Sequence, residues 1–328
     1  MLNVLEPVAA ELTRVEDALV KQVSSFDGGL TEYVQYALGG GGKRLRPSLA
    51  LLAGGVTGKI QDDHIKLGVI VELIHLATLV HDDVLDEAQL RHRMPTPNAR
   101  WGNEISVLLG DCLFAHALRL AASYPTTETC RRISEATNTV CAGEILQTQK
   151  RYDLDLSLDK YLEIIRMKTG ALFAVSCELG ASLNGADPKT VQSMGEFGEV
   201  LGMAYQIYDD CVDLFGQEAS AGKSLGTDMK KGKLTLPWLL LLQHAGSGNR
   251  QKLQGLLFQT EPEARQQLWA LVMGNGVVEE SRATIEGYIG SARRALAHLP
   301  GNRYRQTLLT LVDYLSDQSR CLLEDAQS

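Results

Sequence analysis

Apolar side chains recur at intervals of three and four residues along almost the whole chain, the period of a helix that is buried on one face. The pattern is plain in residues 4–20, 161–183 and 304–323. The chain has only nine prolines among 328 residues, and most of them stand where a helix should begin or end. Alternating strand-type runs bounded by Asn-Gly turns are missing from the sequence. These features predict an all-α protein with roughly a dozen helices.

The best-defined helices are predicted over residues 68–88, 105–123, 127–152, 159–183, 188–215 and 234–244. An irregular basic loop is expected over residues 91–102, and a glycine-rich loop over residues 217–232. Small residues at helical spacing favour close packing of the helices in one bundle. Because no linker-like boundary is visible, residues 1–328 are predicted to form a single domain.

The charge balance restricts the partners. The chain carries 32 Lys and Arg against 40 Asp and Glu, a formal net charge of −8, so nothing indicates general affinity for nucleic acid or an anionic membrane. Glu72 and His75 interrupt the longest apolar stretch, residues 67–80, so no transmembrane helix is predicted. The six cysteines form no CxxC pair, and the N-terminal residues lack the pattern of a signal peptide. A reduced, cytoplasmic protein is therefore expected.

Two copies of the pattern DDxxD each follow a long apolar helical run. They comprise Asp82, Asp83 and Asp86, and Asp209, Asp210 and Asp213. On a helix, positions i, i+1 and i+4 lie within an arc of about 100°, so each motif places three carboxylates on one face. Because such carboxylates repel one another, they favour a hard divalent cation, and Mg²⁺ usually shares its ligands with substrate phosphates. The alternative is that the two motifs are solvated helix ends without a function. The apolar sequence before each motif disfavours this alternative.

Glycines 39–42 lead directly into Lys43, Arg44 and Arg46. Glycines let backbone N–H groups approach an anion, and the helix start that follows adds a favourable dipole. The segment is not a nucleotide-binding P-loop, because Ala37 stands where that motif has its first glycine and Arg44 where it has Ser or Thr. A flexible linker is the alternative, but linkers rarely run straight into a basic cluster.

Further cations flank the two acid motifs. Arg91, His92 and Arg93 follow the first motif, and Lys223, Lys230, Lys231 and Lys233 follow the second, while Lys168 is expected within a helix. This arrangement predicts two phosphorylated ligands. One would be bridged to the carboxylates by Mg²⁺, and the other would be bound directly by Arg and Lys.

With these motifs in this order, the chain resembles the trans-type polyprenyl diphosphate synthases over nearly its whole length. The matching segments are GGGGKRLRP from Gly39, the two DDxxD motifs, GEILQ from Gly143, KTGALF from Lys168, QIYDD from Gln206 and GKSLGTDMKKGKLTLP from Gly222. The resemblance implies head-to-tail condensation of an allylic diphosphate with isopentenyl diphosphate. It also implies an all-α bundle around a deep central cavity, usually as a homodimer.

The resemblance also implies roles for individual residues. Asp82, Asp86 and Asp209 would bind Mg²⁺ directly, in a set of three ions, with Asp83, Asp210 and Asp213 as further ligands or their neighbours. The allylic diphosphate would be held by Arg91, Lys168, Thr169, Gln206, Lys223 and Lys233, and isopentenyl diphosphate by Lys43, Arg46 and His75. The family usually has twin arginines after the first motif, so either a protonated His92 or Arg93 would take the place of the second one here.

Product length should depend on the residues one turn before the first acid motif. Ala77 and Thr78 lie about 6 to 7.5 Å before Asp82 along the helix, where short-chain members of the family tend to have an aromatic residue. Both are small, so the growing chain could continue towards Ile74. This predicts a medium- or long-chain product such as octaprenyl diphosphate. A farnesyl or geranylgeranyl product is the alternative, and small residues here could also reflect ordinary helix packing.

Four other functions compete with this interpretation. A class I terpene cyclase or a head-to-head condensing enzyme would also ionise an allylic diphosphate, but the glycine-lysine-arginine loop favours an additional site for isopentenyl diphosphate. A metal-dependent phosphohydrolase of the His-Asp type would not explain the second DDxxD motif. A non-catalytic partner of another synthase is disfavoured because both acid motifs are intact.

Overall fold

The computed structural model describes residues 2–91, 94–216, 225–245, 247–257, 259 and 262–327. A 3₁₀ helix, Leu2–Val8, precedes the α-helices. These are α1 (Ala9–Val23), α2 (Thr31–Gly39), α3 (Leu45–Thr57), α4 (Asp62–Leu85), α5 (Pro97–Trp101), α6 (Asn103–Ala121), α7 (Thr127–Gln149), α8 (Leu158–Ile165), α9 (Ala171–Ser182), α10 (Pro188–Phe215), α11 (Thr227–Lys230), α12 (Leu236–His244), α13 (Ser247–Leu256), α14 (Pro262–Gly274), α15 (Val277–Leu296) and α16 (Arg303–Gln327). The prediction of an all-α protein is confirmed.

Residues 91–102 contain more regular structure than the expected irregular loop. Strands β1 (Leu90–Arg91) and β2 (Met94–Pro95) pair antiparallel, and α5 follows them. The hydroxyl of Thr96 caps α5 by accepting a 3.3 Å hydrogen bond from the backbone N–H of Ala99. The prediction of an irregular loop was therefore wrong, because two-residue strands and a five-residue helix are too short to produce a hydrophobic period.

The predicted helix over residues 159–183 contains a break. Helix α8 ends at Ile165, a π-helical turn covers Arg166–Gly170, and α9 begins at Ala171. A π turn widens the backbone by one residue, and such turns are frequent at functional sites. Lys168 and Thr169 lie within this turn.

The described chain groups into two compact units, each assembled from segments that are far apart in sequence. Unit 1 comprises Met1–Asn138, Ala171–Glu199 and Arg293–Leu311, and unit 2 comprises Thr139–Gly170, Val200–Ala292 and Val312–Ser328. The first acid motif belongs to unit 1 and the second to unit 2. That residues 1–328 form one domain remains a prediction.

Helix α4 is the core helix of unit 1, where it packs against α1, α3 and α6. Its length and hydropathy would suit a membrane span, but 72% of the relevant window is buried inside the protein. It is therefore assigned to the core of unit 1. Close helix contact elsewhere in this core requires Gly180 of α9, since a Cβ there would lie 2.3 Å from the carbonyl oxygen of Ala50 in α3.

In unit 2, the first seven residues of helix α12 are apolar on every side. All its residues from Leu236 to Leu242 are buried, and α12 contacts α8 and α14. A helix without a polar face must be surrounded by other elements, so α12 anchors the core of this unit. Leu234 and Thr235 connect the basic segment 230–233 to α12.

Candidate active site

The first acid motif lies at the C-terminal end of α4. Asp83 is buried and accepts three hydrogen bonds from Arg91, two from Nε at 3.1 Å and one from Nη2 at 2.8 Å. Burial raises the pKa of the Asp83 carboxyl, and the hydrogen bonds from Arg91 offset part of this effect. Asp82 and Asp86 are half-buried and lie one helical turn apart. The motif thus contains one buried acid that is bound to Arg91 and two acids that are more accessible to solvent.

The segment after this motif is tied back to the end of α4. Glu87 takes a left-handed conformation with φ of 50°, which turns the chain, and the carbonyl of Ala88 accepts hydrogen bonds from Thr96 Oγ1 at 2.5 Å and Asn98 Nδ2 at 3.1 Å. Strand β1 then carries Arg91 to Asp83. The hairpin therefore sets the position of Arg91.

His81 packs the last turns of α4 against α6. Its Nε2 donates to the carbonyl of Val107 at 2.9 Å, and a Cβ at Gly110 would lie 2.1 Å from the same nitrogen. Only glycine fits at position 110 without moving the ring. His81 thereby fixes the end of α4 from which Asp82 extends.

The charges of Arg44, Arg46 and Arg91 lie near His75 in unit 1. The guanidinium of Arg46 stacks on the ring of Phe173, 4.8 Å from its centroid, and Lys43 is exposed. Burial lowers the pKa of His75 well below its ordinary value, and the charges of Arg46, Arg91 and Arg44 lower it further. His75 is therefore neutral when no ligand is bound. A bound anion would offset the repulsion between the neighbouring arginines and a protonated His75.

The second acid motif lies at the end of α10 and is more completely anchored. Asp210 is buried and accepts hydrogen bonds from the phenol of Tyr161 at 2.6 Å and from Gln206 Nε2 at 2.8 Å. The hydroxyl of Thr169 donates to Gln206 Oε1 at 2.7 Å. Burial raises the pKa of Asp210 to about 8, and the nearby charge of Asp228 adds to the effect. A continuous hydrogen-bond chain therefore joins the π turn to this motif.

Asp213 is buried and caps the short helix α11. Its carboxylate accepts hydrogen bonds from the backbone N–H groups of Thr227 and Asp228, both at 3.2 Å, and from the Thr227 hydroxyl at 3.1 Å. Asp209, by contrast, is half-buried. Asp213 thus holds the start of the segment that leads to Lys233.

The π turn places Lys168 against α7. Its ammonium forms an ion pair with Glu144, and a Cβ at Gly143 would lie 2.8 Å from the Lys168 backbone nitrogen. Gly143 therefore permits the close approach of this turn to α7. Lys233 is half-buried at the end of the basic segment, and its backbone N–H donates to the carbonyl of Asp228 at 2.9 Å.

Within each unit, the structure brings some of the predicted site residues together. It joins Asp83 to Arg91 and places the charges of Arg46 and Arg91 near His75 in unit 1, and it joins Thr169 through Gln206 to Asp210 in unit 2. Two further predicted residues, His92 and Lys223, lie outside the described residues, as does Arg93.

The donor chemistry fits Mg²⁺. The accessible side chains of both motifs, those of Asp82, Asp86 and Asp209, carry oxygen donors only, which a hard cation prefers. Among the described residues, no group of three or more His, Cys, Asp or Glu is arranged to hold an ion by itself. Such incomplete sets suit a cation that takes its remaining ligands from substrate phosphates.

The residues predicted to set product length lie on α4. Ile74 and Ala77 are fully buried, while Thr78 is half-buried and donates its hydroxyl to the carbonyl of His75 at 2.7 Å. Thr78 lies one helical turn before Asp82. It is therefore the most accessible of the three.

Several residues of the site were not predicted from the sequence. Tyr161 carries no motif of its own and is recognisable only through Asp210, which it contacts, whereas Thr227 belongs to the matching segment that begins at Gly222. Glu144 belongs to the matching segment GEILQ, which was the one available signal for it.

The sequence is similar to known proteins along most of its length. The family model described as Polyprenyl synthetase matches residues 28–272. The heptaprenyl diphosphate synthase component 2 of Bacillus subtilis is 36% identical over 302 residues, which cover 92% of this chain and 86% of that protein. The octaprenyl diphosphate synthase of Escherichia coli is 31% identical over 316 residues, 96% of this chain and 98% of that protein.

The solved structures include a close match as well. The polyprenyl synthase of Caulobacter crescentus, in complex with calcium and isoprenyl diphosphate, has a TM-score of 0.89 at 32% identity, with 96% of this chain and 97% of that chain covered. The match extends well beyond the acid motifs to almost the full length. The chain therefore belongs to the polyprenyl synthetase family, the trans-type polyprenyl diphosphate synthases, and is a prenyltransferase.

Proposed function

We propose that this prenyltransferase adds isopentenyl diphosphate units to an allylic diphosphate and releases a medium- or long-chain all-trans polyprenyl diphosphate. One observation supports this most strongly. Both acid motifs contain buried acids that protein donors anchor, namely Asp83, Asp210 and Asp213, and half-buried acids, namely Asp82, Asp86 and Asp209. A helix end with no function would not require this division.

Asp82, Asp86 and Asp209 are the proposed direct ligands of Mg²⁺, on which the family depends, and we propose three ions. Bound Mg²⁺ would neutralise the negative charge that develops on the leaving diphosphate. Asp83, Asp210 and Asp213 keep their helix ends and neighbouring segments in place. Oxygen-only donors and partial accessibility support this assignment.

The allylic diphosphate is proposed to contact Arg91, Lys168, Thr169, Gln206 and Lys233, and also Lys223 beyond the described residues. Arg91 can serve both as partner of Asp83 and as ligand, because its side chain is 38% exposed while that of Asp83 is 3% exposed. Lys168 would have to exchange its ion pair with Glu144 for the diphosphate. The charge of a cation that has a carboxylate partner is compensated even when no substrate is bound. Such a cation can still bind an anion.

Isopentenyl diphosphate is proposed to bind to Lys43, Arg46 and His75, with His92 as a further contact. The positive surroundings that lower the pKa of His75 support an anion site. A bound diphosphate would reverse that effect and favour the protonated imidazole, which donates from both nitrogens.

In the proposed reaction the allylic C–O bond breaks heterolytically, and its electron pair leaves with the diphosphate. The π bond of isopentenyl diphosphate attacks the allylic cation and forms the new C–C bond. Loss of a proton to the departing diphosphate restores a double bond, so no side-chain base is assigned. An apolar cavity would keep water from quenching the cation.

The proposed product length rests on Ala77, Thr78 and Ile74, none of which is aromatic. The names of the relatives reported above, a heptaprenyl and an octaprenyl synthase, support a product in that range. A farnesyl or geranylgeranyl product is the alternative.

We infer a homodimer in the cytoplasm. Val107 and Leu108 on α6 are 42% and 60% exposed, and an adjacent apolar pair of this kind supports a subunit interface. None of the six cysteines forms a disulfide, which supports a reducing compartment. One relative is named as component 2 of a synthase, so dependence on a second, different chain is the specific alternative.

The test is an assay of the purified chain alone. Isopentenyl diphosphate and Mg²⁺ are supplied with dimethylallyl, geranyl, farnesyl or geranylgeranyl diphosphate, and product lengths are measured by mass spectrometry. Products of about seven to ten isoprene units are expected, and light scattering on the same sample gives the number of subunits. Activity that appears only after a cell extract is added would favour the two-component alternative, and cyclised hydrocarbon products would refute the proposal.

A further inference from the structure

Arg44 has a left-handed backbone conformation, with φ of 47° and ψ of 38°. It follows Gly41 and Gly42, which also have positive φ, and it stands directly before α3. For a residue with a Cβ this region is sterically disfavoured, and residues held in it concentrate near functional sites. Other contacts must therefore stabilise Arg44 in this conformation.

The Arg44 side chain provides those contacts. Its Nε donates to Glu16 Oε1 at 2.5 Å, its Nη1 to Glu72 Oε1 at 2.6 Å, and its Nη2 to Glu16 Oε2 at 3.3 Å. The backbone carbonyl of Arg44 accepts from the backbone N–H of Ser48 at 3.0 Å and from its hydroxyl at 2.7 Å. Arg44 is therefore fixed at both its side chain and its backbone, by α1, α4 and α3.

The ion pair between Arg44 and Glu72 is shielded from solvent. The side chains are 11% and 4% exposed, whereas Glu16 is 45% exposed. Burial raises the pKa of Glu72, and the charge of Arg44 offsets part of this effect. A buried charge that loses its partner is strongly unfavourable, so Arg44 is not available to an incoming ligand.

The two neighbouring cations differ from Arg44. Lys43 is exposed, and Arg46 stacks on Phe173, although all three lie within four consecutive residues. Because successive residues in a turn point in different directions, the conformation of Arg44 determines where Lys43 and Arg46 are directed.

We propose that Arg44 is a positioning residue, whose bonds to Glu16 and Glu72 hold the glycine loop in the conformation that presents Lys43 and Arg46 to isopentenyl diphosphate. This rests on the proposed function, since it concerns the same substrate. Arg44 itself does not contact the diphosphate.

A direct role and a positioning role for Arg44 predict opposite effects of Glu16→Gln on the KM for isopentenyl diphosphate. If Arg44 bound the diphosphate, Glu16 would compete with the substrate, and Glu16→Gln would lower the KM for isopentenyl diphosphate. If Arg44 is a positioning residue, Glu16→Gln loosens the loop and raises that KM. The sign of the change separates the two roles.

The experiment measures steady-state kinetics of the full chain with isopentenyl diphosphate varied at saturating allylic diphosphate and Mg²⁺. Arg44→Gln is expected to raise the KM about 10-fold with kcat within about 3-fold, and Glu16→Gln to raise it in the same direction. Arg44→Lys should recover part of the loss because it keeps the charge. The double variant should be no worse than Arg44→Gln alone, since both remove the same contact.

Arg14→Gln is the matched control. Arg14 also lies on α1 and pairs at 2.5 Å with Asp62 at the start of α4, but this pair is exposed, and the KM should not change. Glu72→Gln is a second variant with the same expected direction, and circular dichroism monitors folding of each variant.

A lower KM for Glu16→Gln alongside a raised KM for Arg44→Gln would overturn the proposal in favour of direct contact, and an unchanged KM for Glu16→Gln would overturn the role given to its bonds with Arg44. Reduced thermal stability of both variants without any change in KM would overturn it in favour of a purely structural role. Wild-type protein that forms no polyprenyl diphosphate at all would instead refute the proposed function. In that case calorimetric titration with isopentenyl diphosphate alone still tests the positioning role.

Discussion

Tyr161 donates a 2.6 Å hydrogen bond from its phenol to Oδ2 of Asp210, and both side chains are buried. Burial raises the pKa of Tyr161 well above its ordinary value, and the adjacent Asp210 raises it further, so the phenol remains protonated and acts as the donor. Gln206 donates to the other oxygen of the same carboxylate. Asp210 is thus held from two sides, which fixes the orientation of the helix end that carries Asp209.

Tyr161→Phe should therefore impair both stability and activity. Loss of one hydrogen bond to a buried acid is expected to cost about 1 to 3 kcal/mol and to lower kcat about 10-fold, because Asp209 would be less well oriented. Denaturant unfolding and initial rates at saturating substrates measure the two effects. Tyr124→Phe is the control: it removes an equally short bond, to the carbonyl of Asp63, and should reduce stability without reducing kcat. Equal kcat values for both variants would contradict the orienting role.

Each acid motif contains both buried and half-buried acids, and this difference leads to a second prediction. Asp82→Ala and Asp209→Ala should each lower kcat by about 100-fold or more while Tm stays within about 3 °C, because half-buried acids contribute more to substrate activation than to stability. Asp213→Ala should instead lower stability by about 2 to 3 kcal/mol, since three hydrogen bonds to α11 are lost. Turnover with saturating Mg²⁺ and thermal unfolding provide the comparison. Near-normal turnover of either Asp82→Ala or Asp209→Ala would exclude the assigned metal site.

The long elements and both acid motifs could be predicted because their signals are local. Helix α10 was predicted with its observed bounds, Pro188 to Phe215, since a proline begins it and an uninterrupted helical period continues through it. The π turn at Arg166–Gly170 could not be predicted, because its neighbour Gly143 lies more than twenty residues earlier in the chain.

The roles of single charges were equally difficult to predict. Lys43, Arg44 and Arg46 look alike as a basic cluster, yet the structure directs Arg44 to two glutamates that lie 28 residues before and 28 residues after it. No local pattern marks a pairing at that separation. Burial and partner identity come from tertiary packing, so composition identifies a cluster of cations but not which of them remains available.

The fit between Gly143 and the π turn gives a third prediction. Gly143→Ala would place a Cβ 2.8 Å from the backbone nitrogen of Lys168, so the turn must shift, and kcat should fall about 10-fold or more. Gly287→Ala is the control on another helix: nothing lies within 4 Å of its Cβ position, and it should stabilise the protein by about 1 kcal/mol with kcat unchanged. Initial rates and thermal unfolding measure the pair. Full activity of Gly143→Ala would show that the position of the turn is not critical.

The contribution of His64 to stability should be lost in mild acid. Its Nδ1 accepts from the backbone N–H of Gln61 at 3.1 Å, and its Nε2 lies 3.1 Å from the carbonyl of Gly180 as donor, which requires the neutral ring. Burial lowers the pKa of His64 below the ordinary 6.5. At this site the unfolded state then binds more protons than the folded state below that pH, so the contribution of His64 to stability is constant above about 6.5 and decreases as the pH falls below it.

Denaturant unfolding between pH 5 and pH 8 measures this dependence. His64→Gln should be less stable than the wild type at pH 8 but should lose less stability on acidification, because the titrating group is gone. His75 and His116, whose pKa values burial also lowers, would account for part of the slope that remains, and Asp210, whose pKa is raised, would oppose it. A wild type that loses no more stability than His64→Gln between pH 8 and pH 5 would contradict the assignment.

The product length can be shortened by enlarging a side chain on α4. Thr78 is half-buried one turn before Asp82, whereas Ala77 and Ile74 are fully buried, so an aromatic side chain at position 78 meets the least resistance from its neighbours. If the growing chain extends along this part of α4, Thr78→Tyr and Ala77→Tyr should both shorten the main product by at least one isoprene unit. Ala77→Tyr should also lower the stability of the protein by about 1 to 3 kcal/mol, because the larger side chain overpacks the core. Mass spectrometry of the products measures the length, and Thr78→Ser serves as the control that keeps the hydroxyl bond to the carbonyl of His75. An unchanged product distribution in a folded, active Thr78→Tyr enzyme would show that the chain runs elsewhere.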